Sequence, residues 1–360
     1  MKKTLIHFIY SLGRGGAETM LVRVIKELPE YDHIVVTLLP ENHFKQELQC
    51  NKLVCLNMTS LTGLPHAIAA FKKLVKKEKP YLVHTHLFWP TFIARFAVPK
   101  NIPLVTTIHQ FINSSVEYKH WYIRLLDRWS YRFRDSIIIV VAKGAMSEYF
   151  SFLKMKPFRA YVLYTFVDVD RFNKKTNLPQ KTAGTFRMIA VGALREQKNF
   201  SYLVKAMSLL KNEDIELDIY GDGDLRQVLQ KQITETGARV HLKGQVSNIE
   251  EVIPMYDIFV MPSTYEGFSL GVLEAMAMAM PLLLSDNPSF KEQAEGHAWF
   301  FSLTNINELT EKILVLSKTD KQLLIERGEA GRQRAINNFT LSQHIVALRT
   351  IYSNALQKNS

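Results

Sequence analysis

The sequence predicts an α/β protein of two doubly wound domains, each a parallel sheet with helices on both faces. Three observations carry this. The chain has 360 residues, more than one ordinary core takes and a natural length for two α/β domains of about 150 to 180 residues each. Short β-branched runs alternate with amphipathic helices along it, which implies parallel strands. The alternation lapses once, near residue 170, and then resumes.

Residues 4–10 read as the first strand. Ala17, Met20, Leu21, Val24, Ile25 and Leu28 then recur at helical spacing and give one apolar face. Strand-like runs follow at 34–39, 81–86, 104–109 and 137–141, with helical stretches such as 66–79 and 88–96 between them. Residues 173–185 are polar, with Pro179 and Gly184, and read as a linker. Beyond it come strands at 187–194, 215–220, 239–242, 258–262 and 281–285, a helix at 200–210, and mostly helix after 305. The expected division is therefore 1–172 for the first domain, 173–185 for the linker, 186–340 for the second domain, and 341–360 for a last helix. Open α/β sheets bind ligands beyond the carboxyl ends of their strands, so two such domains facing each other would make a cleft.

Composition excludes several classes. Hydrophobic residues at 47% and charged residues at 22% suit a soluble globular protein rather than a disordered one. Cys50 and Cys55 are too few for a disulfide scaffold and read as reduced thiols. No Cys/His group has zinc spacing; His84 and His86 lie in a strand-like run without further ligands nearby, and no metal is expected. Met1, Lys2 and Lys3 before an apolar run imitate a signal peptide, but that run contains His7 and leads into Gly13-Arg14-Gly15-Gly16 rather than a cleavage site. A strand entering a glycine turn is the better reading, and a cytoplasmic protein is expected. No apolar stretch approaches the ~18 residues of a membrane span.

The formal charge of +11 is lopsided. Residues 1–170 hold 23 Lys and Arg against 13 Asp and Glu, whereas 171–360 hold 22 against 21. The dense parts are Lys72, Lys73, Lys76, Lys77 and Lys79, then Arg124, Arg128, Arg132 and Arg134 interleaved with Trp121, Tyr122, Trp129 and Tyr131. This mixture fits peripheral contact with an anionic membrane surface; the open alternative is a solvated helix face plus ordinary core aromatics. No nucleic-acid recognition motif accompanies it, and nucleic acid is not an expected partner.

Three constellations could carry chemistry. Gly13-Arg14-Gly15-Gly16-Ala17-Glu18 sits at a strand-to-helix turn, where glycines admit a close ligand and the helix start attracts phosphate. Glu18 stands where a dinucleotide fingerprint needs its third glycine, so a merely structural turn is an open alternative. In the second, residues 262–277, a strand ends at Pro262 and helix formers begin at Leu270, placing Gly267, Phe268, Ser269 and Leu270 at a helix N-terminus. Glu266 precedes that helix and Glu274 lies in its second turn. Two carboxylates so placed can hold hydroxyls on either side of a phosphate group; the bland alternative is a capping acid and a solvent-facing helix residue. The third, Val191-Gly192-Ala193-Leu194-Arg195-Glu196-Gln197-Lys198-Asn199, offers Arg195 and Lys198 as cations suited to a diphosphate, although such a pair in isolation is more often surface charge.

Together these residues resemble the glycogen-synthase-like retaining nucleotide-sugar glycosyltransferases, family four of the glycosyl transferases group 1. The most specific element is a glutamate pair with seven intervening residues, matched by Glu266 and Glu274 in an EGF…LEAMA context. Supporting matches are Gly15-Gly16-Ala17-Glu18, His84-Thr85-His86, His109 after Val105-Thr106-Thr107, Val167-Asp168 with Arg171-Phe172, and Gly221-Asp222-Gly223. The resemblance implies the GT-B fold: two facing Rossmann-like domains with parallel sheets, a cleft between them, and a last helix crossing back to the first domain. By similarity the second domain holds a nucleoside diphosphate sugar, UDP-linked by preference, and the first a glycan or lipid-linked acceptor. Glu274 would bind ribose hydroxyls, while Glu266 and the amides of Gly267, Phe268 and Ser269 would address the donor sugar and phosphate. Arg195 and Lys198 would neutralise the leaving diphosphate with help from Gly15 and Gly16, and His109 would contact the donor sugar. The family transfers with retention, usually without a metal, and no cofactor is implied.

This chain departs from the pattern at Ala193, where the family often has arginine; Arg195 is expected to take that role. Thr165-Phe166 replaces a common Asn-Gly, and Ala279 a common glycine. Asp222-Gly223-Asp224 and Asp168-Val169-Asp170 imitate metal-binding Asp-x-Asp, although Asp222 fits a glycine turn better. Two further readings stand beside the transferase: a nucleotide-sugar epimerase on the same fold, and a non-catalytic binding module.

Overall fold

A computed structural model of the chain describes residues 2–13, 15–115, 117–154, 159–173 and 184–356. Every strand expected from a β-branched run forms. Most of the region expected to be a linker lies outside the described residues. Contacts cluster into two compact units, residues 1–165 with 342–360, and residues 166–341.

The first unit is a seven-stranded sheet, β1 (Lys3–Ile9), β2 (Tyr31–Thr37), β3 (Lys52–Cys55), β4 (Leu82–His86), β5 (Leu104–Ile108), β6 (Ile137–Val140) and β7 (Ala160–Val162), in the order β3-β2-β1-β4-β5-β6-β7. All neighbours pair in parallel. The central strands β1, β4 and β5 are buried along most of their length because both faces are covered, including the His and Thr positions that interrupt their apolar residues. The covering helices are α1 (Gly16–Lys26), α2 (Leu64–Glu78), α3 (Phe88–Ala97), α4 (Trp121–Phe133) and α5 (Lys143–Leu153). One side of the core joins Ile6, Phe8, Val36 and Val83 to Phe71, Val75, Ile93 and Ala94 of α2 and α3; the other joins Ile9 and Val35 to Leu21, Val22 and Ile25 of α1.

The second unit repeats the plan with β8 (Phe186–Val191), β9 (Ile215–Tyr220), β10 (Val240–Gly244), β11 (Ile258–Met261), β12 (Leu282–Ser285) and β13 (Trp299–Phe301), ordered β10-β9-β8-β11-β12-β13 and again parallel. Its helices are α6 (Phe200–Leu209), α7 (Arg226–Thr236), the single turn α8 (Ile249–Val252), α9 (Leu270–Ala277), α10 (Pro288–Ala294), α11 (Ile306–Ser317) and α12 (Lys321–Asn338). The last helix, α13 (Leu341–Leu356), packs with the first unit. There Tyr352 is hydrogen-bonded to His84 at 2.7 Å and Arg349 is paired with Glu30 at 2.7 Å.

In each sheet the strand order reverses once, between β1 and β4 and between β8 and β11. Ligand crevices in open α/β sheets lie at such switch points, beyond the strand carboxyl ends. The three constellations fall there: residues 13–16 follow β1, residues 192–198 follow β8, and residues 262–269 follow β11.

Strands β3, β7 and β13 were not expected. Each is an edge strand of three or four residues, partly exposed, and too short for its pattern to stand out. Two residues of the basic aromatic segment also correct the reading of a solvent- or membrane-facing cluster. Tyr131 is 2% exposed beneath the Arg95 guanidinium, and Arg134 is 8% exposed, donating to the carbonyls of Pro99 and Ile102. Arg95 itself is buried and paired with Asp127, whose other oxygen accepts from Tyr118 at 2.7 Å. That network satisfies charge inside the core, as burial requires.

Candidate active site

The loop after β8 owes its shape to glycines. Gly221 has φ +136, and a Cβ there would come within 1.9 Å of the Gly192 carbonyl oxygen; Gly223, at φ +157, presses on the backbone of Leu194. Only glycine permits that approach and those dihedrals. The turn after β9 thus lies directly on the loop after β8, with Gly192 donating to the Tyr220 carbonyl and Leu194 to that of Asp222. Asp222 Oδ1 accepts from the Gly223 amide, so this Asp-x-Asp segment forms the glycine turn.

Residues Glu196–Lys198 then make a 3-10 turn laced to the loop after β11. Thr264 donates its amide to the Gln197 carbonyl at 3.0 Å, and Gln197 Nε2 donates to the Tyr265 carbonyl at 3.0 Å. This lacing brings Lys198 and Glu266 together. Lys198 Nζ lies 2.6 Å from Glu266 Oε1, which also accepts from Ser263 Oγ at 2.8 Å, while Gln197 Nε2 donates to Oε2 at 3.3 Å. Glu266 is 8% exposed. Its oxygens engage side chains, so it is not a capping acid. Ser263 is fixed in turn, its carbonyl accepting from Ser285 Oγ and Asn287 Nδ2.

Helix α9 begins at Leu270, with Ser269 at its N-cap in an extended conformation and no side-chain cap. Its first i to i−4 bond runs from Leu273 to the Ser269 carbonyl, so the amides of Leu270, Gly271 and Val272 precede the intrahelical ladder. The Ser269 amide, expected to address a donor, donates to Gln293 Oε1 at 3.1 Å, and Gln293 Nε2 returns a bond to the Ser269 carbonyl. Phe268 packs its ring on Phe339, and the Gly267 carbonyl accepts from Ser289 Oγ.

Glu274 is partly buried on α9 rather than solvent-facing. Burial pushes its carboxyl up to about 7, opposed by the positive charges of Arg171 and Lys198 and reinforced by Glu250. Arg171 donates to Glu250 Oε2 at 2.9 Å and to the Ser247 carbonyl. Arg195 is exposed, its amide bonded to the Ala193 carbonyl. The second unit therefore gathers Lys198 and Glu266 into contact, sets Glu274 within electrostatic reach of Lys198, and leaves Arg195 in solvent.

In the first unit, Gly15 is the N-cap of α1 and Gly16 its first residue, with Thr19 bonded back to the Gly15 carbonyl. His109 follows β5, its Nε2 lying 3.0 Å from His86 Nδ1. Burial, then the neighbouring His344 imidazole, lowers its pKa to about 4, so it is a neutral imidazole near pH 7.

The second unit thus brings together helix-start amides, one lysine, and two carboxylates with different environments, a set whose chemistry suits an anionic ligand. Comparison with known proteins places the chain in a family. The sequence family described as Glycosyl transferases group 1 matches residues 171–334, and Glycosyltransferase Family 4 matches residues 14–171. The chain belongs to the group 1 glycosyltransferases. An Escherichia coli relative, UDP-Gal:alpha-D-GlcNAc-diphosphoundecaprenol alpha-1,3-galactosyltransferase, is 26% identical over 83% of this chain and 81% of its own. A Campylobacter jejuni relative, N-acetylgalactosamine-N,N'-diacetylbacillosaminyl-diphospho-undecaprenol 4-alpha-N-acetylgalactosaminyltransferase, is 24% identical over 87% of this chain and 90% of its own. The crystal structure of Anabaena HepE with UDP and glucose superposes with a TM-score of 0.84 at 16% identity, covering 98% of this chain and 99% of that one. The fold is accordingly that of the GT-B glycosyltransferases.

Some residues of this glycosyltransferase's candidate site escaped the sequence reading. Gln197 and Ser263, both on the Glu266 carboxylate, carry no periodic or charge signal. Gln293 acts through its amide on a loop remote in sequence. For Gln197 a faint signal existed, its position between Arg195 and Lys198.

Proposed function

We propose that this glycosyltransferase moves a hexosyl or N-acetylhexosaminyl group, with retention, from a UDP-sugar to a lipid-linked or glycan acceptor in bacterial surface polysaccharide assembly. The observation that supports this most is the Lys198–Glu266 pair at the switch point of the second sheet, beside the start of α9. A cation and helix-start amides suit the diphosphate that leaves, and Glu266 suits sugar hydroxyls. Glu274 is assigned to the ribose hydroxyls, Arg195 to the outer phosphate, and Gly15, Gly16 and His109 to donor contacts made by the first unit. A neutral His109 can exchange hydrogen bonds with a sugar hydroxyl without adding charge. The departing phosphate can accept the acceptor's proton, so no separate protein base is required. The relatives named above carry undecaprenol diphosphate acceptors in their names, which favours a lipid-linked acceptor here.

The test is a thermal-shift series with UDP-, GDP- and ADP-sugars, paired with donor-consumption assays with and without acceptor. A ligand at a hundredfold excess over its Kd adds about 2.7 kcal/mol, or roughly 5 °C for a protein of this size. UDP-sugars should give that shift and the others much less. Equal shifts from all three, or none, would remove the UDP assignment. Donor conversion without acceptor would favour the epimerase reading.

The acceptor side has its own surface. Trp121, Leu125, Trp129 and Phe133 recur every fourth residue on α4 and are 73%, 52%, 56% and 57% exposed. Phe96 of α3 stacks between Trp129 and Phe133, and the exposed Lys72, Lys73, Lys76 and Lys77 lie on α2, which packs on α3. Aromatics at headgroup level beside lysines suit the anionic inner face of the cytoplasmic membrane. Vesicles containing phosphatidylglycerol should pellet the protein at low salt and release it as ionic strength rises. Replacing Trp121 and Trp129 together by alanine should weaken that binding about tenfold or more. Equal pelleting with neutral vesicles would show that charge has no part.

A further inference from the structure

Strands β1 and β4 pair with His7 directly opposite His84, and His86 two residues on lies on the same face. The register therefore brings His7, inside the first unit, to the His84 and His86 pair that the sequence alone left without further ligands. His7, His84 and His86 are 0%, 4% and 5% exposed, and each offers a ring nitrogen within 4.8 Å of the others. They face a cavity of about 30 Å³ whose remaining wall is largely apolar, including Met20, Leu21, Val24 and Leu348.

The hydrogen-bond chain fixes which nitrogens are bare. The Leu28 carbonyl can only accept, so His33 Nε2, 2.9 Å away, carries the hydrogen. His33 is then bare at Nδ1, which lies 3.1 Å from His7 Nε2 and must accept from it. A neutral His7 is consequently left with an unprotonated lone pair on Nδ1. That atom and His86 Nε2 are both buried and have no hydrogen-bond partner among the described residues.

We propose that His7 Nδ1, His86 Nε2 and one nitrogen of His84 bind a divalent transition-metal ion of the zinc class. Neutral imidazole is the preferred ligand of such ions, and three of them with an open fourth position form a familiar set. The outer partners are already in place. His33 orients His7, His109 orients His86, and His84 is held by Tyr352 and Thr107 at 2.7 Å each, one of which it releases on ligation. Nitrogens within 4.8 Å of one another would close to about 3.3 Å around an ion held by tetrahedral Zn–N bonds of about 2.0 Å. With Nε2 on the metal, His86 carries its hydrogen on Nδ1 and donates it to His109 Nε2. His109 then presents its own hydrogen on Nδ1. That last consequence rests on the donor-contact reading of His109; the metal site does not.

The test uses tag-free full-length protein expressed with added zinc and gel-filtered into metal-free buffer. Elemental analysis should find about one zinc per chain in the wild type and about a tenth of that or less in His7→Phe, with anomalous density at the zinc edge among the three rings. Growth with cobalt should give tetrahedral visible bands that His7→Phe lacks. The anomalous map of the wild type answers independently of how well the variant folds. Zinc retained unchanged in His7→Phe, or wild-type crystals showing only a water or nothing between the rings, would overturn the proposal while leaving the glycosyltransferase reading intact.

Discussion

Lys198→Ala should lower kcat/KM about a thousandfold, the scale set by removing one charged donor from a site where negative charge develops. The loss should fall chiefly on kcat, because the lysine's work on the diphosphate grows as the sugar bond breaks. A second effect accompanies it. Glu266 is 8% exposed and would keep only Ser263 and Gln197 as partners, so removing its cationic partner should also destabilise the fold. Glu266→Gln separates the two. It keeps the volume and a hydrogen bond from Ser263, releases Lys198, and should cost activity without the same loss of stability. If the pair acts as one unit, the double variant Lys198→Ala with Glu266→Gln should be little worse than Lys198→Ala alone. Fully additive losses would show that the two side chains serve separate steps, and near-wild-type turnover in Lys198→Ala would remove the lysine from the mechanism.

The fold was legible because the chain repeats one local pattern wherever both faces of a strand are covered. Ile6 and Phe8 or Phe259 and Val260 are fully buried and announce themselves as apolar runs. Lys52–Cys55 does not, because an edge strand is covered on fewer sides and its sequence is free to be polar, and Trp299–Phe301 is apolar but only three residues long. Burial also misled in the other direction. Tyr131 and Arg134 share α4 and its end with Trp121 and Trp129, yet helical phase turns them inward, where Arg95 and two carbonyls occupy them. Among the candidate site residues, Gly267 and Glu274 stand out locally because a strand, a glycine turn and a helix follow one another there. Gln197, Ser263 and Gln293 do not. Their roles depend on two loops from different strands lying side by side, and that juxtaposition is written in the sheet order rather than in either segment. The histidine cluster is the extreme case. His7 meets His84 only through the β1–β4 register, which no reading of the HTH segment could supply.

Glu274 should couple donor binding to pH. Its carboxyl is raised from 4.5 to about 7, first by burial, so near neutrality the unliganded site holds it about half protonated. Ribose hydroxyls donate to a carboxylate and prefer the ionised form, so binding draws the proton off. The expected signature is a tightening of UDP-sugar affinity by about tenfold between pH 6 and pH 8, with proton release near pH 7 seen by calorimetry in buffers of different ionisation enthalpy. A UDP-sugar is the right probe, since free UDP carries a terminal phosphate that titrates near pH 6. Glu274→Gln should flatten this profile, and Glu274→Ala should weaken donor binding by about a thousandfold through the loss of two charge-assisted hydrogen bonds. Stability runs the other way. An acid whose folded pKa is raised penalises the folded state progressively as pH climbs from 4.5 to about 7, because the unfolded chain sheds its proton first. Without donor, Glu274→Gln should therefore melt higher than wild type at pH 8 and close to it at pH 4.5. A variant that gains stability only at high pH while losing the donor identifies a carboxylate kept in place for binding, at a cost to the empty protein. A flat wild-type affinity between pH 6 and pH 8, or unchanged donor affinity in Glu274→Ala, would detach this residue from the nucleotide.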